Sequence, residues 1–421
     1  MNVIVLNDHL YADGGADVVA LSSAEQLAAA GAHVTLLVAD ALRPEDRLPR
    51  RARLVATGQH DLLRDPQRGR AALQGLWNAG AARALRALLA EHAPTDTVVH
   101  LHSWTKSLSS SVIRTTLMAG FPMVCTLHDY FPVCPTGGLF NFQSSQICQR
   151  KPMSLDCITC HCDVRSYGHK LYRVARQAVQ LGWGGMPGGL REFIVVSRFS
   201  EVILRPYLPP DAQVCHVRNP INITPGPQAD VASQQGFVMV ARLVRHKGQE
   251  LFLRACEQAG VPAVCIGEGP DQAELQQRFP RARFTGQLAR EQVQAEMLRA
   301  RALVLPSLWY ETQGLVVDEA AALGLPAIVS DACAATDAVQ HGRNGLVFRS
   351  GDADALANAL QRLHEDGSYA QALGRQAFER FWRDPPTPAN HARELLQAYA
   401  GVLARAAARR HAGPRAEEAV Y

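Results

Sequence analysis

The stretch WYETQGLVVDEAA, residues 309–321, sets two carboxylates, Glu311 and Glu319, eight positions apart, with a glycine and an amphipathic run between them. A carboxylate only accepts hydrogen bonds and can take two hydroxyl donors at once, which suits a ribose diol or a pair of sugar hydroxyls. Taken alone, a glutamate pair at this spacing also fits a solvated helix face. Thr312-Gln313-Gly314 leads into a helix whose first N–H groups, near Gly314 and Leu315, favour an anion. A basic turn, Arg242-Leu-Val-Arg-His-Lys247, can neutralise a diphosphate, Arg242 as a fork and Lys247 as a point charge. Acids beside phosphate would repel it, so Glu311 and Glu319 must address other groups. The basic turn, the helix N-terminus and the two acids together describe a nucleotide diphosphate sugar.

Positioning these residues requires strands that end at one crevice. Apolar runs at 3–7, 33–39, 98–103, 123–129 and 193–197 alternate with helical patterns. A second series follows at 236–242, 263–267, 283–287, 302–307, 327–331 and 345–348. Helices are expected at 16–30, 71–92, 248–260, 291–299, 315–323 and 353–364, with a long one after the proline break near 385. Continuously apolar strands alternating with helices signal parallel sheets covered on both faces, and two series imply two doubly wound α/β domains. The Pro- and Gly-rich stretch 217–235 reads as the linker between them. Ligands of such sheets bind at the carboxyl ends of the strands. Besides the basic turn, those ends carry Gly267-Glu268-Gly-Pro270 and Gln287 in the second series, and Gly14-Gly15 and His128-Asp129 in the first. The Gly14-Gly15 loop lets backbone amides approach a phosphate, although it is not a full GxGxxG fingerprint. Asp352-Ala-Asp354 precedes a helix and reads as its N-cap rather than as a metal-binding pair.

The chain has 421 residues and a formal charge of +4, a globular balance that suits two domains and gives no support for a nucleic-acid binder. There is no run of eighteen apolar residues, and the first residues enter a strand pattern without a basic leader; a soluble cytoplasmic protein is expected. Five of the ten cysteines crowd into one segment with the spacing C-x13-C-x8-C-x2-C-x-C. Without a secretory signal, such clustering favours metal over disulfides. Cys134, Cys148, Cys157 and Cys160 make the natural tetrahedral Zn²⁺ set, with Cys162 and His161 to spare; an iron–sulfur cluster is the second reading and free thiols the third. Behind them, 165–185 is a basic helix with aromatic and aliphatic positions. It suits either a lipid-surface contact or an ordinary surface helix covering the first sheet.

The ordered set ARLVRHKG, GEGP, FTGQ, PSLWYETQGLVVDEA and GLPAIVSD resembles the donor domain of the retaining glycosyltransferases of family 4. The resemblance covers roughly the whole chain and is strongest from 236 to 350. It implies the GT-B fold, two Rossmann-like domains facing a central cleft. Residues 1–222 would form the acceptor side, with a Cys-rich insertion at about 131–165. Residues 223–382 would form the donor domain, and 383–412 a helix crossing back to the first. Carried over, Glu319 would hold the ribose, Glu311 and His128 the donor sugar, and Arg242 and Lys247 the departing diphosphate. Thr312 and the backbone of Gln313, Gly314 and Leu315 would bind phosphate and sugar, with Gly14, Gly15, Gly267, Glu268 and Gln287 around the donor. Asn219 matches a position where the family often has Asn-Gly, but proline follows it here. The implied reaction is retaining transfer of a hexose from a UDP- or GDP-sugar, with no metal at the diphosphate. The acceptor would be a glycan or lipid-linked oligosaccharide of a surface polysaccharide, at the inner face of a membrane. A sugar phosphorylase, a nucleotide-sugar epimerase and a non-catalytic nucleotide-sugar-binding protein are the alternatives on the same scaffold.

Overall fold

The computed structural model describes residues 1–11, 15–40, 50–60, 62 and 65–411. Its first sheet contains β1 (Asn2–Asn7), β2 (His33–Asp40), β3 (Arg53–Gln59), β4 (Thr97–Leu101) and β5 (Met123–Leu127). After a two-stranded hairpin of β6 (Phe140–Asn141) and β7 (Gln146–Ile147), β8 (Glu192–Val195) and β9 (Gln213–His216) complete it. All neighbours pair in parallel, in the order β3-β2-β1-β4-β5-β8-β9. The second sheet contains β10 (Phe237–Val240), β11 (Ala263–Ile266), β12 (Arg283–Phe284), β13 (Ala302–Leu305), β14 (Ala327–Ser330) and β15 (Gly345–Phe348). It too is wholly parallel, ordered β12-β11-β10-β13-β14-β15.

The strand cores are buried because Val, Ile and Leu fill both faces: Val3 to Leu6 and Ala302 to Leu305 are essentially inaccessible. The order of each sheet reverses once, between β1 and β4 and between β10 and β13. At such a switch point the connections leave in opposite directions and open a crevice at the strand ends.

The structure corrects the sequence reading in several places. The expected helix 71–92 is two helices, Arg68–Leu76 and Ala79–Leu89, because Asn78 turns to cap the second by accepting from Ala81 N–H. The strand expected at 283–287 pairs over only two residues, ending where Gly286 takes φ +70°. β3 was not anticipated; it is a half-exposed edge strand lacking a continuous apolar run. Asp352 does cap the helix Ala353–Glu365, accepting from Ala355 N–H.

The long helix Pro388–His411 packs against the helix Gly15–Ala29 and β4, so this helix lies on the first domain. There Tyr399 Oη meets His100 Nδ1 at 2.6 Å, and His391 Nε2 meets Ser23 Oγ at 2.8 Å. Among the described residues, no helix is long and apolar enough to cross a membrane.

Candidate active site

The switch point of the second sheet brings together the loop after β10 and the loop after β13. Lys247 Nζ stands 2.6 Å from Glu311 Oε1, and Ser307 Oγ donates to the other carboxylate oxygen. The Lys247 ammonium lies over the Trp309 ring at 5.4 Å, and His246 meets that ring edge-on at 4.9 Å. Burial, and next the Lys247 charge, push His246 down to about 4, so at neutral pH the loop's positive charge resides on Arg242, Arg245 and Lys247. Arg242 is exposed.

Two glycines let the neighbouring loops lie on one another. A Cβ at Gly267, where φ is +127°, would stand 2.1 Å from Ala241 O, and one at Gly269 would stand 2.0 Å from Leu243 O. Gly267 N–H donates to Gly286 O, while Glu268 Oε1 accepts from Gln287 N–H. Glu268 thus joins the β11 and β12 loops beside the basic turn.

Glu319 lies one turn into the helix Leu315–Ala322, and Arg290 Nη2 reaches its carboxylate at 3.4 Å. Burial raises its pKa and Arg290 partly opposes the rise. The two glutamates therefore have separate cations. Glu311, expected to face sugar hydroxyls, is held by Lys247 and Ser307.

The first domain reaches this site through Thr312. Its Oγ1 donates to His128 O at 2.7 Å, and its carbonyl accepts from Ser197 Oγ at 2.7 Å. Asp337 of the second domain accepts from the N–H groups of Arg198 and Phe199. The His128 ring stacks on His102, with Nε2 2.9 Å from His102 Nδ1. His102 in turn lies 4.0 Å from the ring of His100. Burial drives all three imidazoles down, His128 to about 3, so the row is neutral. Sequence reasoning found His128 but not His100 and His102; the two histidines at i and i+2 of an otherwise apolar strand were the available signal.

The remaining expected residues divide. Gln313 and Gly314 line a cavity of about 740 Å³ between the domains, together with Ser197, Arg218, Asp318 and Arg380. Gln313 Oε1 is buried there without a hydrogen-bond partner. Leu315 opens the helix, and Gly314 precedes it where a Cβ would meet Leu305 at 2.8 Å. Asn219 is buried at the start of the interdomain segment, its Oδ1 unpartnered. Gly15 starts the helix after β1, and Gly14 lies outside the described residues. At the first sheet's own switch point, Asp8 accepts from the N–H groups of Lys106, Ser107 and Leu108, which ties that loop down.

The cysteine segment departs from the expected tetrahedron. Among the described residues no three His, Cys, Asp or Glu side chains converge as a metal centre requires. Lys170 is instead fully buried beside the thiols and donates to Cys157 Sγ at 3.5 Å. Cys134 pairs with Thr136 Oγ1, Asn141 donates to Cys160 Sγ, and Arg150 stands by Cys148 and Cys160. Lys170 thus sits among the thiols, which in the described geometry are bonded to protein partners and do not surround one common point. The same segment carries β6 and β7 towards the basic turn, where Phe142 meets His246 edge-on at 5.3 Å.

Comparison with known proteins agrees with the two-domain geometry. The family described as Glycosyltransferase Family 4 matches residues 13–224, and that described as Glycosyl transferases group 1 matches residues 229–380. The chain is 32% identical over 187 residues to a glycogen synthase of Mycobacterium tuberculosis, a match covering 41% of this chain and 45% of that protein. It is 34% identical over 149 residues to a GDP-mannose-dependent alpha-mannosyltransferase of the same organism, covering 35% and 39%. The chain thus spans less than half the length of these curated relatives. Among solved structures, sucrose-phosphate synthase from Thermosynechococcus elongatus superposes with a TM-score of 0.69 at 21% identity, over 96% of this chain and 99% of that one. HepE of Anabaena, in complex with UDP and glucose, gives 0.66 at 15%, over 95% and 100%. At these identities the likeness speaks for the fold, which is GT-B.

Proposed function

The chain belongs to glycosyltransferase family 4, and from that membership we propose that it transfers a hexose from a UDP- or GDP-sugar to a glycan or lipid-linked acceptor with retention of configuration. The observation that carries this reading is the ion pair of Lys247 with Glu311 at the switch point, between Arg242 and the N-terminus of the helix Leu315–Ala322. A mannosyltransferase relative named for GDP-mannose supports a donor of the nucleotide-sugar class.

An incoming diphosphate competes with Glu311 for Lys247. Two phosphate charges outweigh one carboxylate, so the ammonium turns to the donor and Glu311 is released to accept sugar hydroxyls. Arg242 adds a second cation, and Glu319 accepts from the ribose. No carboxylate here is assigned as a nucleophile. The leaving phosphate takes the acceptor's proton on the face it departs from, and the protein contributes position and preorganised charge.

A thermal-shift panel of UDP- and GDP-sugars identifies the donor. Nucleotide release is then followed with and without a glycan acceptor. Acceptor-dependent release supports transfer, whereas release without any acceptor, or no shift with any nucleotide sugar, removes the reading.

A further inference from the structure

His100 and His102 stand two positions apart at the end of β4, so both side chains leave the same face of the sheet. β5 runs parallel beside it, with His100 opposite Val124, and its carboxyl end delivers His128 to the row. The two inner rings differ in their partners. His100 engages both nitrogens with hydroxyls, Nδ1 with Tyr399 Oη at 2.6 Å and Nε2 with Thr126 Oγ1 at 2.7 Å. A hydroxyl donates or accepts as needed, so either form of His100 is satisfied. His102 engages only one nitrogen. Its Nδ1 stands 2.9 Å from His128 Nε2, while its own Nε2 is buried with no hydrogen-bond partner among the described residues.

That difference decides where the protons sit. Burial keeps the three rings neutral. A neutral imidazole carries one N–H and one lone pair, and a contact between two ring nitrogens holds a single hydrogen. Were that hydrogen on His128 Nε2, His102 would carry its own on Nε2, a buried donor with nothing to receive it. With the hydrogen on His102 Nδ1, the buried Nε2 is only a bare lone pair. Orphaned buried N–H groups are rarer than unpaired acceptors, which selects the second arrangement. His128 then has its lone pair at Nε2 and its proton at Nδ1. No described residue bonds that Nδ1, and His128 keeps part of its surface open beside Thr312, whose hydroxyl its carbonyl receives.

We propose that His102 is a positioning residue: it holds His128 in the Nδ1–H form, so that His128 meets the donor sugar as a hydrogen-bond donor to one of its oxygens. Glu311, once released from Lys247, only accepts. The two groups then ask for different things of one sugar, an oxygen that receives and a hydroxyl that gives. The sugar contact rests on the function proposed above, whereas the position of the proton does not.

Long-range proton–nitrogen correlation spectra of the ligand-free full chain distinguish a protonated ring nitrogen from a bare one, and a His128→Gln spectrum assigns the signal. His128 should be protonated at Nδ1 and bare at Nε2, with His102 protonated at Nδ1. A proton on His128 Nε2, or a mixture of forms, overturns the proposal. Calorimetric titration then compares UDP-glucose and GDP-mannose with UDP and GDP alone. His102→Leu should weaken the nucleotide sugar about fivefold, the scale of one hydrogen bond, and leave the nucleotide unchanged. His102→Asn, whose amide N–H stands near the place of Nδ1–H, should bind within about twofold of the wild type. Equal weakening of nucleotide and nucleotide sugar would make His102 a merely structural residue, and an unweakened His102→Leu would disconnect it from the sugar; either result ends the proposal. If neither nucleotide sugar binds the wild type, the function proposed above falls. The ligand-free spectrum decides the proton in that case too, and also if His102→Leu does not fold.

Discussion

Lys247 Nζ and Glu311 Oε1 lie 2.6 Å apart although the residues belong to loops after different strands, β10 and β13. The contact is partly buried and backed by Ser307; in the function proposed above, this ammonium meets the donor's diphosphate. Lys247→Ala should lower kcat by about a hundredfold or more, the scale of losing one preorganised charge contact. Steady-state kinetics with the donor found in the thermal-shift panel checks this. Near-normal turnover would end the diphosphate role.

A second expectation concerns protonation. Burial holds His128 at about 3 and keeps His100 and His102 well below the ordinary range. None of the three should titrate between about pH 5 and pH 8, where a free imidazole would. Imidazole resonances in two-dimensional NMR report this directly. A His128 signal titrating near neutrality would mean that its ring is solvated rather than buried in solution.

Asp129 links pH to stability. Burial raises it from 3.8 to about 6, against the pull of the Phe131 N–H and Arg176. With the folded value above the unfolded one, its contribution is fully present below about pH 4 and is lost as pH rises through about 6. Asp129→Asn keeps an acceptor for Phe131 N–H and removes the ionisation. Its Tm should match the wild type near pH 4 and exceed it at pH 8, by about 2 kcal/mol of stability. A variant equally destabilised at both pH values would show that hydrogen bonding, not ionisation, governs the site.

The residues at the second switch point were legible because each directly follows an apolar strand, and strand ends can be read from a local run. The histidine row was not. His100 acquires its role from Tyr399, 299 positions later, and a local pattern carries no information about which helix returns to which strand. The helix Tyr167–Val179 misleads for a related reason: its periodicity is correct, but Arg176 and Gln177 turn inward to donate to the carbonyls of Thr105 and Pro132. The Cys-x2-Cys cluster was legible in the sequence, whereas the buried Lys170 among its thiols could be found only in three dimensions.

The returning helix supplies the last prediction. Glu192, at the start of β8, is 4% exposed at its side chain and accepts from Arg405 through both carboxylate oxygens, with Arg409 at 3.1 Å. The arginines are half in solvent, so the pair is asymmetric. Removing the acid leaves two cations that water can solvate, whereas removing the main cation leaves a buried carboxylate short of partners. Arg405→Ala should therefore cost about 2–3 kcal/mol, reduced by the remaining Arg409, and Glu192→Gln about 1 kcal/mol or less. Urea unfolding of both variants measures the difference. Equal costs would mean that Glu192 is well solvated and that the helix is held by Tyr399 and its apolar neighbours instead.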